Sequence, residues 1–211
     1  MQLRLKTELA SEEYIRRKGW LYASLESCPL HPKGDCGFRK LGFYNRVEPA
    51  GLRVARWHCP KSQRTFSLLP DFAAARVSSS LAEIERLVDR FEECRLEEVA
   101  NNEAAAANVH PDVEYASAVR WVNRRRRWVR AALAIVIGLL PEVLAGCEPS
   151  LASVRMALDA PLALVRLREI AADHLDRIPA PLGFGPLPRA RNVSLRRPPH
   201  CPGPAPPPSI Q

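Results

Sequence analysis

A chain of 211 residues, 46% of them hydrophobic, is long enough for one moderate domain or two small ones. Its net charge of +8 is placed unevenly, +7 over residues 1–77, −7 over 78–115 and +8 over 116–211, so two basic segments flank an acidic one. Three of the six cysteines gather near a histidine, the others stand alone, and residues 1–19 have no continuous apolar core; these features exclude a disulfide scaffold and a secretory leader and predict a reducing cytoplasm.

Residues 1–27 read as a lead-in, with a short helix around 11–18 and with Trp20, Leu21 and Tyr22 packing it onto the segment beyond. Residues 28–70 then read as a small β unit. Cys28, His31 and Cys36 come first, then strands over 38–46 and 52–58 joined by a Glu48-Pro49-Ala50-Gly51 turn, then Cys59-Pro60 and Arg64-Thr65-Phe66. A unit this short has too little apolar material for a core of its own. A metal ion held by thiolates and imidazole supplies the missing cohesion, on the order of 10–16 kcal/mol of coupled folding energy for zinc.

The spacing C-x2-H-x4-C-x22-C offers Cys28, His31, Cys36 and Cys59 as the four N/S ligands of a closed structural zinc site. Two other readings stay open. His58 can replace His31, although neighbours on a strand point to opposite faces and His58 then faces away from Cys59. Alternatively the ribbon is degenerate and holds no metal, because Ser62 stands where a second C-x2-C knuckle places its ligand and the Gln63 amide is a poor zinc ligand. Lys40, Arg46, Arg53, Arg56 and Arg64, interleaved with Phe43, Tyr44 and Trp57, read as phosphate contacts, or as the solvated positions of a small hairpin.

The runs Lys40-Leu41-Gly42-Phe43-Tyr44-Asn45-Arg46, Arg56-Trp57-His58-Cys59-Pro60 and Arg64-Thr65-Phe66-Ser67-Leu68-Leu69-Pro70, with Cys28 to Cys36 before them, resemble the zinc ribbon at the front of bacterial transposases and of uncharacterised transposase-like proteins. The likeness covers about a quarter of the chain. It implies a DNA-binding ribbon with paired metal knuckles, and the chain departs from that pattern at Ser62 and Gln63.

Helices are predicted beyond residue 78. Ser80 and Glu83 have capping-box spacing, and Leu81, Ile84, Leu87, Val88 and Phe91 come next at helical intervals. The opposite face, with Glu85, Asp89, Glu92 and Glu93, is acidic and turns this helix away from DNA. A second helix is predicted over 95–107 from Leu96, Val99 and four consecutive alanines. Over 115–130, Ala118, Val122, Arg125, Val129 and Ala132 share one helical face, and Arg120, Arg124, Arg125, Arg126, Arg127 and Arg130 give a cationic density found nowhere else in the chain. Helix, turn and Arg/Trp-rich helix outline a helix-turn-helix. Arg120-Trp121 followed by Arg124, Arg125, Arg126 and Arg127 also resembles the recognition helices of transposase-type helix-turn-helix domains. The competing reading pairs these arginines with the acidic 83–98 segment or leaves them solvated.

The apolar run 131–140 is too short for a membrane span of about 20 residues and reads as a buried helix, stopped by Gly146 and Pro149. Residues 150–178 read as two helices broken at Pro161, the second with an apolar stripe of Leu164, Leu167, Ala171, Leu175 and Ile178. Eleven of the 20 prolines fall in 179–211, which predicts an extended or disordered tail.

The expected fold class is thus α+β: a zinc-ribbon-like β unit over 28–70, a mostly helical domain over 78–178 and a Pro-rich tail. The expected function is double-stranded DNA binding with a structural Zn2+, as a monomer or a homodimer. The alternative is a non-catalytic structural or protein-interaction module. An enzyme is not expected: the chain carries no Gly-rich phosphate loop, no G-x-S-x-G elbow, no His/Glu metal pair on a helix, and no strand-helix alternation after residue 70 to carry a nuclease core.

Overall fold

The structure, a computed structural model, describes residues 1–96 and 115–186. Its strands are β1 (Gln2–Leu5), β2 (Arg39–Asn45), β3 (Arg53–Cys59) and β4 (Arg64–Pro70), and its α-helices are α1 (Ser11–Arg16), α2 (Leu81–Leu96), α3 (Tyr115–Leu139), α4 (Pro141–Leu144), α5 (Leu151–Leu158) and α6 (Ala163–Ile170). The class is α+β, with one sheet of order β1-β4-β3-β2.

The predicted two-strand hairpin is larger than expected. β4 extends it to three antiparallel strands, and β1, from the lead-in, pairs in parallel with β4. Arg4 on β1 is fixed by Asp71, just past β4, at 2.7 Å. Alternation along the strands then divides the side chains between two faces. Ala55, Trp57, Cys59, Phe66 and Leu68 pack with Ala23, Cys28 and Cys36 in one buried cluster, while Leu52, Val54 and Leu69 pack with Tyr14, Trp20, Ala73, Ala75 and Ala180 in another. The lead-in therefore supplies core that residues 28–70 lack. Of its three expected anchors only Trp20 serves: Leu21 is 50% and Tyr22 81% exposed.

The helices bury a third cluster. The capping box forms as predicted: Glu83 accepts from the Ser80 N–H at 2.8 Å, and Ser80 Oγ accepts from the Glu83 N–H at 3.1 Å. The acidic face of α2 is not wholly outward, however. Glu85 is 1% exposed and accepts the backbone N–H groups of Ala163 and Leu164 at 2.8 and 2.9 Å, so it caps α6, which has no side-chain cap of its own. Arg155 bridges it at 2.9 Å and also pairs with Asp89.

The arginine-rich helix and the apolar run 131–140 merge into the single 25-residue α3. No described helix is long and apolar enough to cross a membrane. The helix predicted over 95–107 lies outside the described residues, apart from its first two positions, which end α2. The connection between α2 and α3 is likewise outside them, and with it the turn of the expected helix-turn-helix.

Residues 179–186, assigned by composition to the tail, instead pack on the body. Ala180 and Leu182 are fully buried, and Phe184 lies against both the helical core and the Tyr14/Trp20 cluster. Arg168 explains why. Its guanidinium, 1% exposed, donates to the carbonyls of Leu182 and Pro181 at 2.9 Å and to those of Asp71 and Ala73, fastening this last segment to the sheet-helix junction. The rest of the predicted tail lies outside the described residues.

Candidate metal centre

Two turns bring the ligand set together. In the first, His31 N–H donates to the Cys28 carbonyl and Gly34 N–H to the His31 carbonyl, both at 3.0 Å. Gly37, at φ +66°, then swings the chain into β2, and a Cβ there would meet the Pro60 ring at 3.4 Å. The second turn comes after β3. Cys59 closes the strand, and Gln63, left-handed at φ +52°, donates its N–H and its side-chain amide to the Pro60 carbonyl. The amide that makes a poor ligand is therefore a turn-closing group.

The donor atoms of Cys28, His31, Cys36 and Cys59 all lie within 4.8 Å of one another, close enough to hold a metal ion. The three thiols are buried and His31 is half-buried. Nδ1 of His31 faces the sulfurs, 3.6 Å from Cys28 Sγ and 3.4 Å from Cys59 Sγ. His31, not His58, thus completes the set; His58 stands one strand position from Cys59 and projects from the other face.

The cluster's surroundings shift two of its thiols in opposite directions. Burial raises the Cys36 thiol, as do its hydrogen bonds with Cys59 and Cys28. Burial pushes Cys59 up as well, but the neighbouring Ser62, Cys28 and Cys36 outweigh it and bring this thiol down to about 6. Ser62 Oγ is buried and makes no hydrogen bond of ordinary geometry. Its effect is through proximity to the Cys59 thiolate. The residue that leaves the second knuckle one ligand short supports the ligand already there.

The arginines expected at a nucleic-acid surface divide into three groups. Arg120, Arg124, Arg127 and Arg130 are exposed on α3, within an arc of about 120° at ~3.6 residues per turn. The buried stripe of Val122, Arg125, Val129, Ala132 and Val136 lies on the opposite side. Lys40 and Arg64 are also exposed, Lys40 over the rings of Phe43 and Trp57 at 5.0 and 5.5 Å.

The second group is used inside the protein, contrary to expectation. Arg125 sits in the apolar stripe with its guanidinium over the Trp121 ring, and burial pulls it down to about 10. Arg46 donates to the carbonyls of Ala74 and Val77, tying the β2–β3 hairpin to the sheet-helix junction. Arg126 is half-buried and 3.9 Å from Glu92 on α2, the one instance among the described residues of the predicted pairing with the acidic segment. The third group is Arg56, half-buried on the sheet with its guanidinium 5.6 Å from the Tyr44 ring. Sequence reasoning missed Glu85 and Arg168. Arg168 was visible as a charged residue four positions from Leu164 and three from Ala171, hence on the predicted apolar stripe.

No protein-family model, no curated protein and no solved structure matches this chain.

Proposed function

We propose that this protein binds double-stranded DNA through the arginine stripe of α3, on a fold whose β unit is held by a structural zinc ion. The stripe carries the proposal: four exposed guanidiniums point directly away from the core, α3 contains no acidic residue, and among the described residues none of the four is in a salt bridge. Such a row suits phosphate contacts, which position a protein on a duplex without reading its sequence. The likeness of residues 28–70 and of Arg120-Trp121 to transposase parts points to the same partner.

The donor set fits zinc. A tetrahedral ion with Zn–S near about 2.3 Å and Zn–N near about 2.05 Å separates sulfur from nitrogen by roughly 3.5 Å, and the two separations in the structure are 3.6 and 3.4 Å. Zinc in such a closed site contributes folding energy and no redox chemistry. Cys28, Cys36 and Cys59 hold it as thiolates and His31 through Nδ1.

Four phosphate contacts give a salt slope of about −3.6, hence a roughly hundredfold loss of duplex affinity between about 50 and 200 mM salt. Gel-shift titrations should show that loss. Replacing Arg120, Arg124, Arg127 and Arg130 together by alanine should flatten the slope and weaken binding; unchanged binding would remove α3 from the interface. Metal analysis of protein purified without chelator should give one zinc per chain, abolished in Cys28→Ser and Cys59→Ser. Retention of zinc in both variants would overturn the site.

A further inference from the structure

The sheet face opposite the cysteine cluster carries an open cleft of about 600 Å³ lined by Met1, Gln2, Tyr44, Arg56, Thr65, Ser67 and Arg76. Register builds its floor, since Gln2 pairs with Ser67 and Ser67 with Arg56, placing the three side by side across β1, β4 and β3. Each alternates with residues of the buried cluster: Ser67 lies between Phe66 and Leu68, and Arg56 between Ala55 and Trp57.

The walls are held in place. The Tyr44 ring flanks the Arg56 guanidinium, and Arg76, left-handed at φ +57°, donates its N–H to Gln2 Oε1 at 3.0 Å. Its side chain donates to the Phe184 carbonyl at 3.1 Å, which leaves the other guanidinium N–H groups for a ligand. Because Gln2 Oε1 is occupied as an acceptor, its amide is presented as a donor. No carboxylate lines the cleft, and among the described residues neither Arg56 nor Arg76 is in a salt bridge.

We infer that this cleft binds a phosphate monoester dianion, its charge met by Arg56 and Arg76 and its oxygens by the Thr65 and Ser67 hydroxyls. Two guanidiniums line the one cleft beside the Met1 ammonium, which donates to the Thr65 carbonyl, so a dianion suits it better than a backbone phosphodiester, which brings one charge. The volume suits a small ligand. The inference stands apart from the α3 stripe and from the metal.

The test is a titration of the full chain with adenosine monophosphate, inorganic phosphate and dimethyl phosphate, followed by the amide chemical shifts of Thr65, Ser67 and Arg76. We expect saturable shifts, tighter for the monoester and inorganic phosphate than for the diester. Affinity should fall at least about tenfold in Arg56→Gln/Arg76→Gln, as the loss of charge-assisted hydrogen bonds requires. The α3 variant with four alanines should bind the monoester as the parent does, which separates this inference from the DNA reading. Should the paired substitution impair folding, Arg56→Lys, which keeps the charge and loses the fork, should give an intermediate affinity. Shifts that chloride reproduces, shifts untouched by the substitutions, or a response to duplex alone would overturn it.

Discussion

Two arginines stand on apolar stripes, and both are buried. Arg168 is the stronger case, a cation with four carbonyl acceptors and, among the described residues, no carboxylate in contact. Burial disfavours its charged form, and the ring of Phe184 at 5.5 Å and the four oxygens offset that cost. Arg168→Met fills the volume but strands the carbonyls, so it should destabilise the protein by about 3–5 kcal/mol in urea unfolding. The capping box gives a milder residue-scale prediction. Burial works against the Glu83 carboxylate, yet hydrogen bonds from Ser80 and Ser79 prevail and lower it below its unfolded value. Its stabilising contribution is complete above the unfolded carboxylate range and disappears as pH falls through the lower folded value. Glu83→Gln should therefore differ from the parent at pH 7 and converge with it in acid melts. At this scale the cluster was legible, because Cys28, His31 and Cys36 share a local spacing and Cys59, after 22 intervening residues, closes the strand. Arg125 was misjudged on charge although periodicity placed it on the inward stripe, and Arg168, at the same spacing on its own stripe, was passed over.

Elements that depend on distant partners were the hardest to read. β1 is four residues of mixed polarity, and only its parallel pairing with β4, more than 60 positions away, makes it a strand. Nothing local announces that. The ends of β2 and β3, each to within a residue, and the start of α2 were plain by contrast, since a turn, alternation and a capping box mark them in the sequence. Glu85 illustrates the same divide within one helix: α2's outer face was predicted acidic, but the unsatisfied N–H groups at the start of α6 draw this carboxylate inward. Glu85→Ala should cost about 3–5 kcal/mol, because it leaves two buried donors without their acceptor and takes from Arg155 one of its two carboxylates. Asp89→Ala, at the half-exposed end of the same Arg155 bridge, should cost no more than about 1 kcal/mol. Thermal melts of the two variants side by side measure the difference.

For the whole molecule, composition suggested separate units and a tail from residue 179, whereas the structure joins them. Proline enrichment indicates a segment that makes few ladder hydrogen bonds, but carbonyls remain available: Pro181 accepts from Arg168 and from the Ala75 N–H at 2.9 Å. A chain ending at residue 178 should therefore be less stable than one ending at 186 by at least about 3 kcal/mol, given the burial of Leu182, Ala180 and much of Phe184. Equal melting temperatures for the two would return that segment to the tail.

The clasp made by Arg168 also sets an order of events during synthesis. The carbonyls of Asp71 and Ala73 leave the ribosome 97 and 95 residues ahead of the guanidinium that gathers them, and those of Pro181 and Leu182 emerge later still. Until then water must serve these oxygens, so the seam between strands and helices cannot close on a half-made chain.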